Sequence, residues 1–380
     1  MGGALTPGGA LGAVRLNPDL LRVVPYVPGK SAKDVQAEFG LAEVVKLASN
    51  ENPCGPSPLA IAAARKALAD AHLYPGGADL ALRARIASEA NPAWEARWVL
   101  TGSGATDILR MLSLAFAAGG EVLVPEITFP MYRTCAAMFG AAVRTVPMRS
   151  DWGIDLPALA AAVTAETRLV HICTPNNPTG LALRRPEVEA FLGEMPPWVV
   201  VAFDESYRAF DASPEPIDAA RYVACDRPVV VVRSFSKAAG LANLRIGYVL
   251  GPPDLLAYLA RAQLPFHIGA AACAAALASL DDHVFHARGR RLVLAERAFL
   301  QAQLLQRGLA ALPSQTNFVL ALGLPAPADQ VVDALQRRGV IVRNMAPWGL
   351  PRALRVSVGT RDQNLRFLAA LDRALETAHQ

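Results

Sequence analysis

Three polar signals stand where apolar runs stop. The run WVVVAFD (198–204) ends in Asp204 and continues as Glu205-Ser206-Tyr207. PVVVVRS (228–234) leads into Ser234-Phe235-Ser236-Lys237, and TRLVHICT (167–174) into Pro175-Asn176-Asn177-Pro178-Thr179-Gly180. A buried strand has little reason to end in specific polar groups unless a ligand is there, because an unpaired polar group away from water costs free energy. In open α/β sheets ligands bind at the carboxyl ends of strands, so these residues can converge on one crevice. An acid, a lysine and an amide around one crevice suit carbonyl–amine chemistry on a bound cofactor. Each signal also has a plainer use: Asp204 as a helix N-cap, Lys237 as a solvated surface charge, Asn176 to Gly180 as a turn. A fourth stretch, GSGATD (102–107), reads as a strand-to-helix turn. It fails as a dinucleotide fingerprint, since Asp107 stands where the third glycine of G-x-G-x-x-G belongs. Each plain reading serves for one signal; all four in this order point to a ligand.

The elements that must position these groups are legible as alternating patterns. Strand candidates are RWVLT (97–101), EVLVP (121–125), the three runs above and RIGYVL (245–250). Continuous Val/Ile/Leu runs suit strands covered on both faces of a mainly parallel sheet. Helical segments fall between them, such as 57–71 with Ser57 as N-cap and Pro58 at the first helical position. The alternation predicts an α/β layer fold with right-handed crossovers. After Gly251 a long helical stretch runs to about Gln306. Short strands TNFVLAL (316–322), VIVRN (340–344) and LRVSVG (354–359) follow, flanked by helices near 327–338 and 361–376. The organisation expected is an N-terminal arm (1–46) packing on the small unit or a partner subunit, a large domain (47–255) and a smaller α+β domain (256–380).

Composition removes several function classes. The chain has 380 residues, 53% hydrophobic and 18% charged, enough apolar surface to exclude a disordered or fibrous protein. Its most apolar long stretch, 264–280, is interrupted by Pro265, His267 and Gly269, so no membrane span is expected. The 37 basic and 33 acidic residues leave a net charge of +4 without runs, too little to imply nucleic acid. Five cysteines form no C-x-x-C pair and suggest neither a disulfide framework nor zinc. His283 and His286 have helical ligand spacing but no evident third ligand, so no metal is expected. The start, MGGALTPGGALGAV, lacks the basic and apolar regions of a secretory signal, and a cytoplasmic protein is expected.

The ordered set PYVPGK (25–30), KLASNENPCGPSP (46–58), YPGG (74–77), GSGATD, TFPMY (128–132), CTPNNPTG (173–180), FDESY (203–207), RSFSKAAGLANLRIGY (233–248), SQTNFVL (314–320) and LRVSVGT (354–360) resembles the fold-type-I pyridoxal-5′-phosphate (PLP) aminotransferases. Within them it is most similar to the histidinol-phosphate group. The likeness spans Pro25 to about Leu371. Its most specific element is the lysine segment with Arg245 eight residues after Lys237.

The resemblance implies roles residue by residue. Lys237 would form the internal Schiff base with PLP and then move a proton as base and acid. Asp204 would pair with the pyridine nitrogen, Asn177 and Tyr207 would donate to the 3′-oxygen, and Phe129 would stack on the ring. The phosphate would take the backbone N–H groups of Ala105 and Thr106, the Ser234 and Ser236 hydroxyls and the Arg245 guanidinium. Tyr74 would reach that phosphate from the partner of a homodimer. Arg355 would hold the substrate carboxylate, while Arg343, Tyr26 and Asn50 would line the pocket for the substrate phosphate. Cys54, Asn243, His267 and Trp348 depart from the usual pattern and bear on specificity alone.

The reaction implied is a ping-pong transfer between L-histidinol phosphate and 2-oxoglutarate. One alternative keeps the reaction with an aromatic or other amino donor. Another is a PLP lyase similar to threonine-phosphate decarboxylases, which also need a phosphate-binding arginine. A regulatory protein built on this fold would carry a DNA-binding region for which no room precedes Pro25.

Overall fold

The continuous apolar runs form a seven-stranded sheet in a computed structural model that describes residues 16–21, 23, 25, 29–223 and 227–377. The strand order is Val99–Gly102, Gly247–Leu250, Val229–Ser234, Val200–Asp204, Thr167–Cys173, Glu121–Pro125, Ala142–Val146. Neighbours are parallel except for Gly247–Leu250, which runs antiparallel to both of its partners. Val229 to Val232 are at most 1% exposed because helices cover both faces, which is why these strands read as unbroken apolar runs. Burying each such valine contributes about 1.5–3 kcal/mol.

Ala142–Val146 was not expected as a strand. It is an edge strand with Ala142, Arg144 and Thr145 exposed, so neither a continuous nor an alternating apolar signal marks it.

The second sheet has five strands in the order Val45–Leu47, Val340–Asn344, Ala353–Ser357, Phe318–Leu322, Ala310–Ala311. The first pair is parallel and the others antiparallel. Helices His283–Gln306, Ala328–Gln336 and Arg361–Thr377 pack on it around Leu300, Leu304, Val331, Leu335, Phe367 and Leu371. Val45–Leu47, three residues with no period to read, joins this sheet and delivers Ala48 to Asn50 to the other unit. Helix Ala270–Leu280 lies on the far side of the expected 255/256 division, yet Ala272, Cys273, Ala275 and Ala276 fill the core of the large sheet. After position 255 the first helix to join the core of the small sheet is His283–Gln306.

Helix Pro58–Ala67 starts as its sequence predicts. Ser57 Oγ accepts from Ala60 N–H (3.2 Å) and donates to Asp282 Oδ2 (2.6 Å). The second contact fastens the helix to the start of the small unit. Among the described residues no helix is long and apolar enough to cross a membrane. His286 Nε2 lies 2.8 Å from Ser279 O.

Candidate active site

Three adjacent parallel strands bring the polar signals together. Val229–Ser234, Val200–Asp204 and Thr167–Cys173 are neighbours; Asp204 and Ser234 end their strands, and Tyr207, Ser236, Lys237 and Asn177 follow the carboxyl ends. They line a cleft of about 220 Å³ with Ala105, Thr106, Phe129, Arg245, Asn50, Arg343 and Arg355. Of the sequence-expected residues, Tyr26 lies outside the described residues. Tyr74 is 78% exposed, away from this cleft, and stacks on Phe266 at 4.5 Å.

A closed polar circuit fixes one wall. Arg355 Nη1 donates to Asn177 Oδ1 (2.6 Å) and Nη2 to Ala48 O (2.9 Å). Asn177 therefore turns its Nδ2 toward Tyr207 Oη, 3.4 Å away. From the other side Ser357 Oγ donates to Asn50 Oδ1 (3.0 Å), and Asn50 Nδ2 donates to Tyr207 Oη (3.0 Å). With two N–H groups pointed at its oxygen, the Tyr207 hydroxyl can send its own proton into the cleft. Burial raises the Tyr207 pKa, against the opposing pull of Arg355, so the group is a phenol donor at neutral pH.

Asp204 is 4% exposed and ends its strand inside the protein. Its Oδ1 accepts from Ser206 N–H (3.0 Å) and its Oδ2 from Tyr132 Oη (2.9 Å). Burial pushes its pKa up, while those donors and the Lys237 charge pull it down. Lys237 Nζ donates to Ser49 O (3.3 Å) and sits 5.7 Å from the Tyr207 ring centroid. Desolvation first, and Arg355 second, bring the Lys237 pKa from 10.5 to about 8. An amine near neutrality beside a buried carboxylate is what proton transfer at a carbonyl–amine centre requires.

The opposite end is built for an anion. Helix Ala105–Leu112 begins at Gly104 (φ 79°), so the Ala105 and Thr106 N–H groups face the cleft from a helix N-terminus. Asp107 Oδ2 accepts from Ser103 N–H (3.0 Å), its use in place of a fingerprint glycine. Arg245 adopts φ 50°, a left-handed conformation costing about 1–3 kcal/mol, and turns its guanidinium back over Gly104. Its Nη1 donates to Ala242 O (2.8 Å) and Ser236 Oγ (3.5 Å). A Cβ on Gly104 would stand 2.3 Å from Arg245 Nη2, so only glycine lets the guanidinium approach this helix end.

These features fit PLP. The helix N-terminus, two serines and a guanidinium suit its phosphate, and Asp204 is a desolvated carboxylate that a ring N–H⁺ would stabilise. Lys237 suits its aldehyde. Several lining groups had no sequence signal. The Ala48 and Ser49 carbonyls are backbone acceptors, which side-chain type does not reveal. Trp348, noted only as a departure, lines the cleft and places its ring 5.7 Å from the Arg355 guanidinium carbon, with Phe318 at 5.2 Å.

Residues 42–371 match the family model for aminotransferase class I and II. A histidinol-phosphate aminotransferase of Symbiobacterium thermophilum is 45% identical over 93% of this chain and 97% of its own length. Histidinol-phosphate aminotransferase 1 of Thiobacillus denitrificans is 43% identical over 95% of this chain and 94% of its own. The crystal structure of histidinol-phosphate aminotransferase from Sinorhizobium meliloti in complex with pyridoxal-5′-phosphate superposes with a TM-score of 0.86. It is 26% identical and covers 96% of this chain and 98% of that one.

Proposed function

The chain belongs to the class I and II aminotransferases, PLP-dependent enzymes of fold type I, and we propose that its amino donor is L-histidinol phosphate and its acceptor 2-oxoglutarate. The observation that carries the donor is a pair of arginines. Arg343 and Arg355 stand directly opposite each other on antiparallel strands, so their side chains leave the sheet on one face, and both line the cleft. Histidinol phosphate has no carboxylate. Its phosphate ester sits on the carbon next to Cα, the side on which a 2-oxo acid carries its carboxylate. Arg355 can hold the α-carboxylate in one half of the cycle, and with Arg343 in register beside it the two guanidinium groups can hold a dianionic phosphate in the other.

When bound, PLP supplies an electron sink for the bond broken at the substrate Cα. The chain does the rest. Asp204 would keep a proton on the ring nitrogen, Asn177 and Tyr207 would donate to the 3′-oxygen, and Phe129 would cover the ring. Lys237 Nζ takes the Cα proton as general base. With its pKa near 8, about a tenth of the amine is neutral at pH 7, against a few parts in ten thousand at 10.5. The Ala105 and Thr106 N–H groups, Ser234, Ser236 and Arg245 hold the cofactor phosphate. Arg355 and Arg343 orient the donor, with Asn50 beside them.

The test is product analysis. Purified enzyme with histidinol phosphate and 2-oxoglutarate should form glutamate, and should release no CO₂ from threonine phosphate. CO₂ release without glutamate exchange would assign a lyase instead. A second expectation concerns the cofactor phosphate: Gly104→Ala should weaken PLP binding at least about tenfold by displacing Arg245, in a titration of the apoprotein. Unchanged affinity would detach Arg245 from the phosphate.

We further infer a cytoplasmic homodimer whose sites are shared. Tyr74 stacks on Phe266, and both, with the flanking Leu73 and Leu264, are between 57% and 78% exposed, apolar surface of the kind a partner subunit covers. Tyr74 would then serve the partner's cofactor phosphate. Inactive Lys237→Ala mixed with impaired Tyr74→Phe gives heterodimers in which one site has both its lysine and the incoming tyrosine. Activity should return on subunit exchange. No gain despite proven exchange would place Tyr74 in its own chain's site.

A further inference from the structure

Behind the cleft lies a pile of buried side chains that the steps above leave unused. Tyr132, on helix Met131–Met138, is fully buried, and its edge meets the Phe129 ring at 5.7 Å and 85°. Its face lies flat on the His171 imidazole, with centroids 4.6 Å apart and planes at 11°. His171 comes from strand Thr167–Cys173 and is also fully buried. Among the described residues neither of its ring nitrogens has a hydrogen-bond partner. An imidazole in that position costs free energy, so its place against Tyr132 calls for a use. Burial drives its pKa down to about 3, which makes it a neutral plate that brings no competing cation to Asp204.

We propose that Tyr132 is a positioning residue for Asp204: its hydroxyl donates the hydrogen bond that aims the carboxylate at the cofactor's ring nitrogen and keeps it ionised, with His171 fixing the tyrosine ring. This rests on the reading of the cleft as a PLP site. The hydroxyl must be the donor, because a carboxylate only accepts and burial holds Tyr132 as the phenol. Ser206 N–H serves the other carboxylate oxygen at 3.0 Å. The neighbouring Cys173 thiol donates to Pro175 O at 3.3 Å. Without the Tyr132 hydroxyl, Asp204 Oδ2 would keep its desolvation and lose a donor. The carboxylate would then take the ring proton more readily, and the ring would hold electrons less well.

The experiment loads the whole protein with PLP labelled with ¹⁵N in the ring and reads that nitrogen by NMR. Wild type should show a protonated nitrogen. In Tyr132→Phe the signal should move toward the unprotonated value. The PLP dissociation constant should rise roughly three- to tenfold, and kcat should fall with little change in the donor KM. Replacing Tyr132 by 3-fluorotyrosine, a stronger donor of nearly the same size, should move the signal the other way. That arm decides the matter if Tyr132→Phe does not fold. His171→Phe, which keeps a flat plate, should retain the wild-type signal. An unchanged nitrogen in folded Tyr132→Phe or in the fluorinated protein would overturn the proposal. So would a shift in His171→Phe as large as that in Tyr132→Phe. An unprotonated nitrogen in wild type would instead count against the PLP-site reading itself.

Discussion

Lys237→Ala is expected to lose transamination at least about a thousand-fold while still binding PLP. The two effects separate because different groups cause them. On the proposed reading, cofactor affinity rests on the helix end at Ala105 and Thr106, the two serines and Arg245, all of which the substitution leaves in place. Proton transfer would rest on one amine, whose pKa near 8 depends on its desolvated position beside Arg355. Among the described residues no other lysine lines the cleft to take over. Borohydride should fix the cofactor on the Lys237 peptide of wild type, seen by mass, and on no peptide of the variant. Wild-type turnover in Lys237→Ala would remove Lys237 from the mechanism.

The second large effect concerns Arg343. A charge-assisted hydrogen bond contributes about 1.5–3 kcal/mol, and 1.4 kcal/mol is one decade. Arg343→Leu should therefore lower kcat/KM for histidinol phosphate by about ten- to several-hundred-fold. Glutamate is a poor control, since its distal carboxylate can draw on the same arginine. Phenylalanine offers no anion beyond the α-carboxylate that Arg355 would hold, and should lose far less. An equal loss with phenylalanine would make Arg343 a structural residue rather than a phosphate ligand.

The large sheet was legible because its central strands are covered on both faces and show as unbroken valine runs. The edge strand Ala142–Val146 and the three-residue strand Val45–Leu47 lack that signal, and both were missed. The site followed the same rule. Asp204 and Lys237 stand out because they end or follow apolar runs. The Ala48 and Ser49 carbonyls do not, because a backbone acceptor has no residue type. Nothing in TFPMY gives Tyr132 a use; only the packing of its helix against His171 and Asp204 reveals one. Trp348 was visible as an oddity of sequence, but its place over Arg355 depends on the turn Ala346–Trp348 folding back on the sheet.

The identity of the amino donor is tested most directly by a half-reaction screen. Purified PLP-loaded protein is mixed with one amino donor at a time, without acceptor, and conversion of the cofactor to its amine form is followed by visible absorbance. Histidinol phosphate should convert the cofactor with the highest rate per unit concentration, ahead of glutamate and phenylalanine. Rapid conversion by phenylalanine with none by histidinol phosphate would contradict the proposed donor and assign an aromatic one.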